Sequence, residues 1–183
     1  MKKPIVINLS GAPGAGKSTG AAKVFSDLKQ HGVNCELVGE FAKDKAWERN
    51  TTALKCQEYV FGKQSYRLAR CRDDVDVIVT DSPLPLTIIY NYNQAIKESL
   101  AQLAMDVYDT YENINFFINR VNEYSTKGRA HTAEESEKIS AQIKELYENL
   151  GINYESVNGD NEGYQYISSR VISSLKERGI INE

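Results

Sequence analysis

The sequence has few cysteines, and their spacing argues against two kinds of site. Cys35, Cys56 and Cys71 are an odd set without a C-x-x-C pair, which argues against a disulfide framework and against a zinc site. Long apolar runs are also missing, so no stretch approaches the length of a membrane span. An apolar run begins so soon after Met1 that a signal peptide has no room. These absences predict a protein of the reducing cytoplasm.

A broad basic surface is missing as well. The net charge is −3 and the sequence pI is about 5.6, which disfavours, without excluding, a protein that grips nucleic acid over a wide area. The chain has 183 residues, 41% of them hydrophobic, and it contains no repeat, low-complexity tract or linker. We therefore predict a single domain over residues 1–183.

What the sequence does contain is a phosphate-binding motif near its N-terminus. The segment from Gly11 to Ser18 fits the P-loop pattern G-x-x-x-x-G-K-[ST], between an apolar strand and a helical face. Glycines let successive N–H groups turn toward a phosphate, Lys17 supplies a charge for the β- and γ-phosphates, and the Ser18 hydroxyl can ligate Mg²⁺. We predict that ATP and Mg²⁺ bind here. The ATP-binding residues of this segment are Gly11, Ala12, Pro13, Gly14, Ala15, Gly16, Lys17, Ser18 and Thr19.

Strand and helix patterns alternate along the whole chain. This order predicts an α/β fold with a parallel sheet and helices on both faces, so ligands bind at the carboxyl ends of the strands. The predicted strands after the first cover residues 33–38, 75–80, 114–118 and 152–157, and the predicted helices cover about 17–30, 51–72 and 93–111, with one more opened by a capping box at Thr132 and another after Asp160. Gly11, Glu40, Asp81, Arg120 and Asn158 follow strand ends and should gather along one edge.

Two acids follow predicted strands. Asp81 ends an apolar strand, as a Walker B acid does, and can hold Mg²⁺. Glu40 follows strand two, beside the P-loop in this topology. A hydroxyl acceptor must lose a proton before it attacks phosphorus, so a carboxylate here favours an alcohol as the nucleophile. A solvated loop acid is the alternative for Glu40.

The polar segment after strand four predicts a lid over about residues 120–132. It contains Arg120, Lys127 and Arg129, and such a segment can close over the γ-phosphate and bring cations to it. Arg129 is the first choice for the catalytic cation, and Arg120 is assigned to ATP binding.

Two glutamines, one loop and a tryptophan are further candidates for the predicted site. Gln57 and Gln64 share an otherwise apolar helix stripe and could read an amide or base edge of the acceptor, with partial exposure at the helix flank as the alternative. The loop Asn158-Gly159-Asp160 follows strand five and can border the adenine. Trp47 could cover the acceptor, although an anchor for its helix is the favoured interpretation.

Several of these segments resemble one group of kinases. They are the P-loop, Gly39-Glu40-Phe41-Ala42-Lys43, Thr80-Asp81-Ser82-Pro83-Leu84, Gly128-Arg129 and Gly151-Ile152-Asn153-Tyr154. Together they resemble the NadR-like AAA-type P-loop kinases, many of them phage-encoded, which are similar to ribosylnicotinamide kinase and more distantly to nucleoside and nucleotide kinases. The resemblance implies strand order 2-3-1-4-5, ATP and Mg²⁺, with the metal-binding acid at Asp81, the hydroxyl-activating acid at Glu40 and the lid cation at Arg129. It also implies the host cytoplasm if the chain is phage-encoded.

The sequence therefore favours a kinase that moves the γ-phosphate of ATP to a hydroxyl of a small nucleoside-like acceptor, such as nicotinamide riboside. One alternative keeps the chemistry but takes a hydroxymethylated base within DNA as acceptor. A nucleoside monophosphate kinase is disfavoured by Glu40, and an ATP-gated regulatory module is the alternative that is not a kinase. No membrane is expected as a partner, and the oligomeric state stays open, with a dimer as one option.

Overall fold

The protein is described by a computed structural model that covers residues 3–121 and 132–181. Five strands form one parallel sheet in the order β2-β3-β1-β4-β5, which confirms the predicted α/β class and strand order. The strands are β1 (Ile5–Ser10), β2 (Cys35–Val38), β3 (Val77–Thr80), β4 (Glu112–Asn119) and β5 (Glu155–Asn158). The helices are α1 (Lys17–Gln30), α2 (Phe41–Trp47), α3 (Thr51–Lys55), α4 (Gln57–Ala69), α5 (Thr87–Tyr90), α6 (Lys97–Tyr108), α7 (Ala133–Asn149) and α8 (Asn161–Glu177), with short 3₁₀ turns at Leu84–Leu86 and Gln94–Ile96.

The central strand β1 is buried along its whole length, because helices cover both faces of the sheet. On one face, Ile7 and Leu9 pack with α1 and α8 through residues such as Leu28 and Ile167. On the other face, Val6 packs in a cluster to which α4 and α6 contribute. The sheet is thus the middle of a three-layer core, and its carboxyl edge is the place where loops converge.

Two helical predictions need correction. The continuous helix predicted over 51–72 is interrupted at Cys56, whose backbone is not helical (φ −94°, ψ 81°). Gln57 stabilises the break, because its side-chain Nε2 donates to the Leu54 carbonyl at 2.9 Å. In the helix predicted over 93–111, the apolar spacing places Leu103 on the inward side. It is 49% exposed, because the buried stripe of α6 runs through Leu100, Ala104 and Tyr108.

Sheet register places the functional strand ends side by side. Val38, the last residue of β2, pairs with Thr80, the last residue of β3. Glu40 comes two residues after Val38 and Asp81 comes directly after Thr80, so both follow neighbouring strands. Asn119 of β4 pairs with Asn158 of β5 in the same way on the opposite side of β1.

Across the described residues, none of the helices is both long enough and apolar enough to cross a membrane.

Candidate active site

The P-loop connects the end of β1 to the start of α1 and contacts α8 through a hydrogen bond from Tyr164. Gly16 takes a left-handed conformation (φ 97°), and a Cβ atom there would lie 2.2 Å from Tyr164 Oη. That hydroxyl donates to the Gly16 carbonyl at 3.0 Å, and Tyr164 is buried. Glycine is therefore required at this position both by backbone conformation and by space.

Two further contacts fix the other side of the loop. Ser136 of α7 is buried and donates from Oγ to the Pro13 carbonyl at 2.8 Å. Gly159 lies so close to the loop that a Cβ atom there would meet the Ala15 carbonyl oxygen at 2.1 Å. Sequence analysis missed Ser136 and Tyr164, because a buried polar side chain on a helix does not reveal its partner in the sequence. Helices α7 and α8 thus brace the loop with hydrogen bonds from side chains.

Lys17 begins α1, and its ammonium group lies over the P-loop. Its Nζ donates to the carbonyls of Gly11 and Ala12, at 2.9 and 3.1 Å. These contacts keep the Lys17 ammonium group close to the P-loop, whose backbone N–H groups the motif assigns to phosphate binding.

Ser18 and Asp81 form the second part of the site. The Ser18 hydroxyl donates to Asp81 Oδ2 at 2.5 Å, and Asp81 is only 4% exposed. The other carboxylate oxygen, Oδ1, is buried and has no hydrogen-bond partner among the described residues. A buried oxygen without a partner is costly unless it has a ligand, and hydroxyl and carboxylate oxygens are the donors that Mg²⁺ prefers.

The residues present therefore fit a Mg²⁺ site of the P-loop kind. Within the described ranges, no cluster of three His, Cys, Asp or Glu side chains could cage a metal alone. A site of one hydroxyl and one carboxylate instead leaves coordination positions for phosphate oxygens, as in nucleotide-dependent enzymes.

Glu40 lies between β2 and α2 and faces this pair of groups. It is the N-cap residue of α2, yet its side chain does not cap the helix. Burial raises the pKa of its carboxyl above the usual range, while the nearby Lys17 ammonium lowers that pKa and the Asp81 carboxylate raises it. Glu40 is thus a half-buried acid within the electrostatic reach of Lys17 and Asp81, not a solvated loop acid.

Helix α4 holds the segment that carries Glu40. Gln64 Oε1 accepts a hydrogen bond from the Phe41 N–H at 2.9 Å, and Arg67 Nη1 donates to the Gly39 carbonyl at 3.2 Å. Gln64 is 5% exposed, which excludes the partial exposure that was its alternative. Gln57 is also buried and accepts from Thr87 Oγ1 at 3.3 Å. Both amides have internal partners, so their role in acceptor binding stays a prediction.

Sequence analysis missed Lys43 as a member of the site. It lies one turn after Glu40 in α2, and its Nζ is 3.4 Å from Ser18 Oγ. Its positive charge also lowers the pKa of Glu40. Tyr90 of α5 lies within the electrostatic reach of Glu40. Burial and the Glu40 charge both raise the pKa of its hydroxyl. The spacing of Glu40 and Lys43 across the first turn of a helix is the signal that could have identified the lysine.

The predicted ATP-binding residues beyond the P-loop lie on its other side. Arg120 donates to Ser136 Oγ at 3.5 Å and forms an ion pair with Glu137. It lines a pocket of about 200 Å³ beside P-loop residues Ala12 and Ala15. Asp160 caps α8 by accepting from the Gly163 N–H, and Asn158 is exposed at the end of β5.

The predictions for the lid cations, Trp47 and Thr19 have different outcomes. Lys127 and Arg129, with most of the predicted lid, lie outside the described residues. Trp47 is 68% exposed, so the interpretation as a helix anchor is wrong. Thr19 is exposed on the first turn of α1, and its assignment to ATP binding stays a prediction.

Comparison with known proteins adds one family and a set of partial relatives. A family described as "AAA domain" matches residues 6–163. Prolyl endopeptidase-like proteins of Pongo abelii and Homo sapiens are each 36% identical over 85 residues, and that of Macaca fascicularis is 35% identical over the same length. Each of these matches spans 46% of this chain but only 11% of the relative, so the chain is similar to a small part of much longer proteins.

Proposed function

Because the chain belongs to the AAA domain family, whose P-loop indicates nucleotide binding, we propose that it is an ATP-dependent phosphotransferase. Its acceptor is a hydroxyl of a nucleoside-like molecule, such as nicotinamide riboside. One observation carries this proposal. Glu40 is an acid with a raised pKa, it lies beside Lys17 and Asp81, and no described residue donates a hydrogen bond to its carboxylate.

The residues divide the work of phosphoryl transfer among them. The P-loop N–H groups and Lys17 bind the β- and γ-phosphates, and Ser18 with Asp81 would hold Mg²⁺. When bound, Mg²⁺ neutralises charge on these phosphates. Glu40 accepts the proton of the acceptor hydroxyl while the hydroxyl oxygen bonds to the γ-phosphorus. The bond between the γ-phosphorus and the bridging oxygen of the β-phosphate breaks, and its electron pair leaves on ADP.

The environment of Glu40 suits a base for an alcohol. Burial makes its carboxylate a stronger proton acceptor than an exposed glutamate, and the charges of Lys17 and Lys43 favour its ionised form. A phosphate acceptor is already ionised and would be repelled by this carboxylate. The proposal therefore ranks an alcohol kinase above a nucleoside monophosphate kinase.

The remaining roles belong to the same proposal. Arg129, in the lid over about residues 120–132, would meet the γ-phosphate after closure. Arg120 and the loop from Asn158 to Asp160 would border the nucleoside of ATP, and for Arg120 this role is supported by the pocket that it lines beside the P-loop.

A phosphotransfer screen tests the proposal. The protein is incubated with γ-labelled ATP and Mg²⁺ against nucleosides including nicotinamide riboside, nucleoside monophosphates and hydroxymethylated DNA. We expect label on a hydroxyl of a nucleoside-like acceptor and none with the Lys17→Ala variant, which loses the phosphate-binding charge. Transfer to monophosphates alone would contradict the alcohol kinase, and slow hydrolysis with every acceptor would favour an ATP-gated module.

A further inference from the structure

Positive charge is concentrated in one part of this acidic protein. Residues 41–72, which include α2, α3 and α4, contain eight Lys or Arg residues and three Asp or Glu residues. The remainder of the chain contains 14 Lys or Arg residues and 22 Asp or Glu residues. The overall net charge of −3 therefore hides a cationic region in an otherwise acidic chain.

Exposed aromatic rings alternate with these cations on one side of α4. Tyr59, Lys63, Tyr66 and Arg70 follow one another at helical spacings of four, three and four residues, so they share one face, here called the α4 outer face. Tyr59 is 40% exposed and Tyr66 is 67% exposed. The Lys63 Nζ lies 5.7 Å from the centre of the Tyr59 ring. A contiguous stripe of exposed rings and cations, unlike a single exposed ring, is typical of an interaction surface.

Several cations of this region are available to a ligand. Among the residues that the structure describes, no carboxylate forms a salt bridge with Arg49, Lys55 or Lys63. Arg70 has only a long contact of 3.5 Å with Glu36, and both side chains are substantially exposed. A surface pair of this kind is easily replaced by a phosphate contact.

The α4 outer face is physically connected to the candidate active site. The adjoining side of the same helix holds the Glu40 segment through Gln64 and Arg67. At the N-terminal end of the face, the Tyr59 ring packs edge-on against Phe41, with ring centres 5.5 Å apart. Phe41 follows Glu40 directly, so the face begins beside the predicted base and continues along α4 for about 16 Å, at ~1.5 Å per residue.

We propose that the α4 outer face binds single-stranded nucleic acid. Unpaired bases offer flat rings that stack on Tyr59 and Tyr66, and the strand offers phosphates to Lys63 and Arg70. A duplex buries its bases in its own stack and can use only the cations. The acidic remainder of the chain repels a polyanion, which restricts the strand to this region. That the strand also supplies the accepting hydroxyl near Glu40 rests on the proposed function, whereas binding does not.

Fluorescence anisotropy with a labelled 12-nucleotide oligothymidine, without ATP, tests the inference. We expect Tyr66→Ala to weaken binding by about 5- to 150-fold, from the loss of one stacked base. Lys63→Ala should reduce the slope of log K against log salt by ~0.7, for one lost phosphate contact. A duplex of the same length should bind more weakly than the single strand.

Matched variants on α8 serve as controls. Tyr166→Ala removes a ring that is 50% exposed, and Lys176→Ala removes an exposed cation, both far in sequence from α4. These variants should bind the oligonucleotide like the wild type. Equal losses in the α4 and α8 variants, or duplex binding as tight as single-strand binding, would overturn the inference. Since the altered side chains are on the surface, thermal denaturation should give wild-type folding for all four variants.

The outcome also separates this inference from the proposed function. If the oligonucleotide binds and Tyr66→Ala weakens it, the face is supported whether or not any acceptor is phosphorylated. If nucleosides are phosphorylated but the oligonucleotide does not bind, the kinase proposal stands and the nucleic-acid surface is wrong.

Discussion

Replacing Glu40 with glutamine is the most informative single change in this protein. Glu40→Gln keeps the size of the side chain but removes its capacity to accept a proton. A positioned general base contributes about 10²–10⁴-fold to a rate, so the barrier should rise by ~3–5.5 kcal/mol. Affinity for ATP should persist, because Lys17, Ser18 and the P-loop N–H groups are unchanged.

The pH dependence follows from the direction of the pKa shift. Burial raises the pKa of Glu40 above its ordinary value of 4.5, so the carboxylate protonates at a higher pH than a free glutamate. The kcat/KM of the wild type should therefore fall on the acid side with a midpoint above 4.5. Glu40→Gln should lack this limb, because the amide does not titrate in that range.

The same shift predicts that the base lowers the stability of the fold. A carboxyl whose pKa is raised in the folded state favours folding when protonated, at low pH, and this contribution is lost as pH rises through the folded-state pKa. At a pH above the folded-state pKa of Glu40, the folded wild type contains a desolvated carboxylate, which the amide replaces. Glu40→Gln should then have a higher Tm than the wild type at pH 8, with a smaller difference near pH 4.

Two measurements decide the role of Glu40. Initial rates with the best acceptor give kcat/KM across pH, and thermal denaturation at pH 4 and pH 8 gives the change in Tm. Glu98→Gln is the control, because it makes the same change at an exposed carboxylate in the first turn of α6, a helix that contributes no residue to the candidate site. An acid limb that persists in Glu40→Gln, or full activity of this variant on the best acceptor, would refute the assignment of Glu40 as the base.

Three further predictions concern Asp81, Lys43 and Gly159. Asp81→Asn should raise the Mg²⁺ concentration for half-maximal turnover, because it removes a charged ligand, and a titration with an unchanged midpoint would remove Asp81 from the metal site. Lys43→Met should move the acid limb to higher pH, because the Lys43 charge lowers the pKa of Glu40, and an unchanged pH–rate profile would exclude this coupling. Gly159→Ala should cost ~1–3 kcal/mol of folding free energy in urea denaturation, since its Cβ would meet a P-loop carbonyl at 2.1 Å. Gly62→Ala, a helical position with nothing within 4 Å, is the control and should not destabilise, so an equal loss there would contradict this reasoning.

Much of the fold could be predicted because its signals are local. The P-loop marks the end of β1 and the start of α1, and the predicted helix over 17–30 matches the observed Lys17–Gln30. Strand order came from the resemblance to kinases, because pairing between parallel strands depends on packing across the whole chain. The break at Cys56 was missed because the apolar period of 3.6 residues continues through it, and a periodicity does not detect one residue with a non-helical ψ.

The candidate site was predicted in part for a related reason. Position after a strand placed Glu40 and Asp81 at the same edge, and sheet register puts them on neighbouring strands. Lys43 was missed because the sequence Lys43-Asp44-Lys45 contains two similar cations. Only the start of α2 at Phe41 decides that Lys43 approaches Ser18, while Lys45 forms a salt bridge with Glu48.

The way in which Glu40 is held also explains how it can stay basic. A carboxylate that accepts several N–H hydrogen bonds has a lowered pKa and is a weaker base. Here Gln64 and Arg67 bind the backbone on either side of Glu40, at the Phe41 N–H and the Gly39 carbonyl, and leave the carboxylate alone. The pKa of Glu40 is then set by burial and by the opposing charges of Lys17 and Asp81. Helix α4 thus fixes the position of Glu40 without reducing its affinity for a proton, which is the combination that its proposed role as a general base requires.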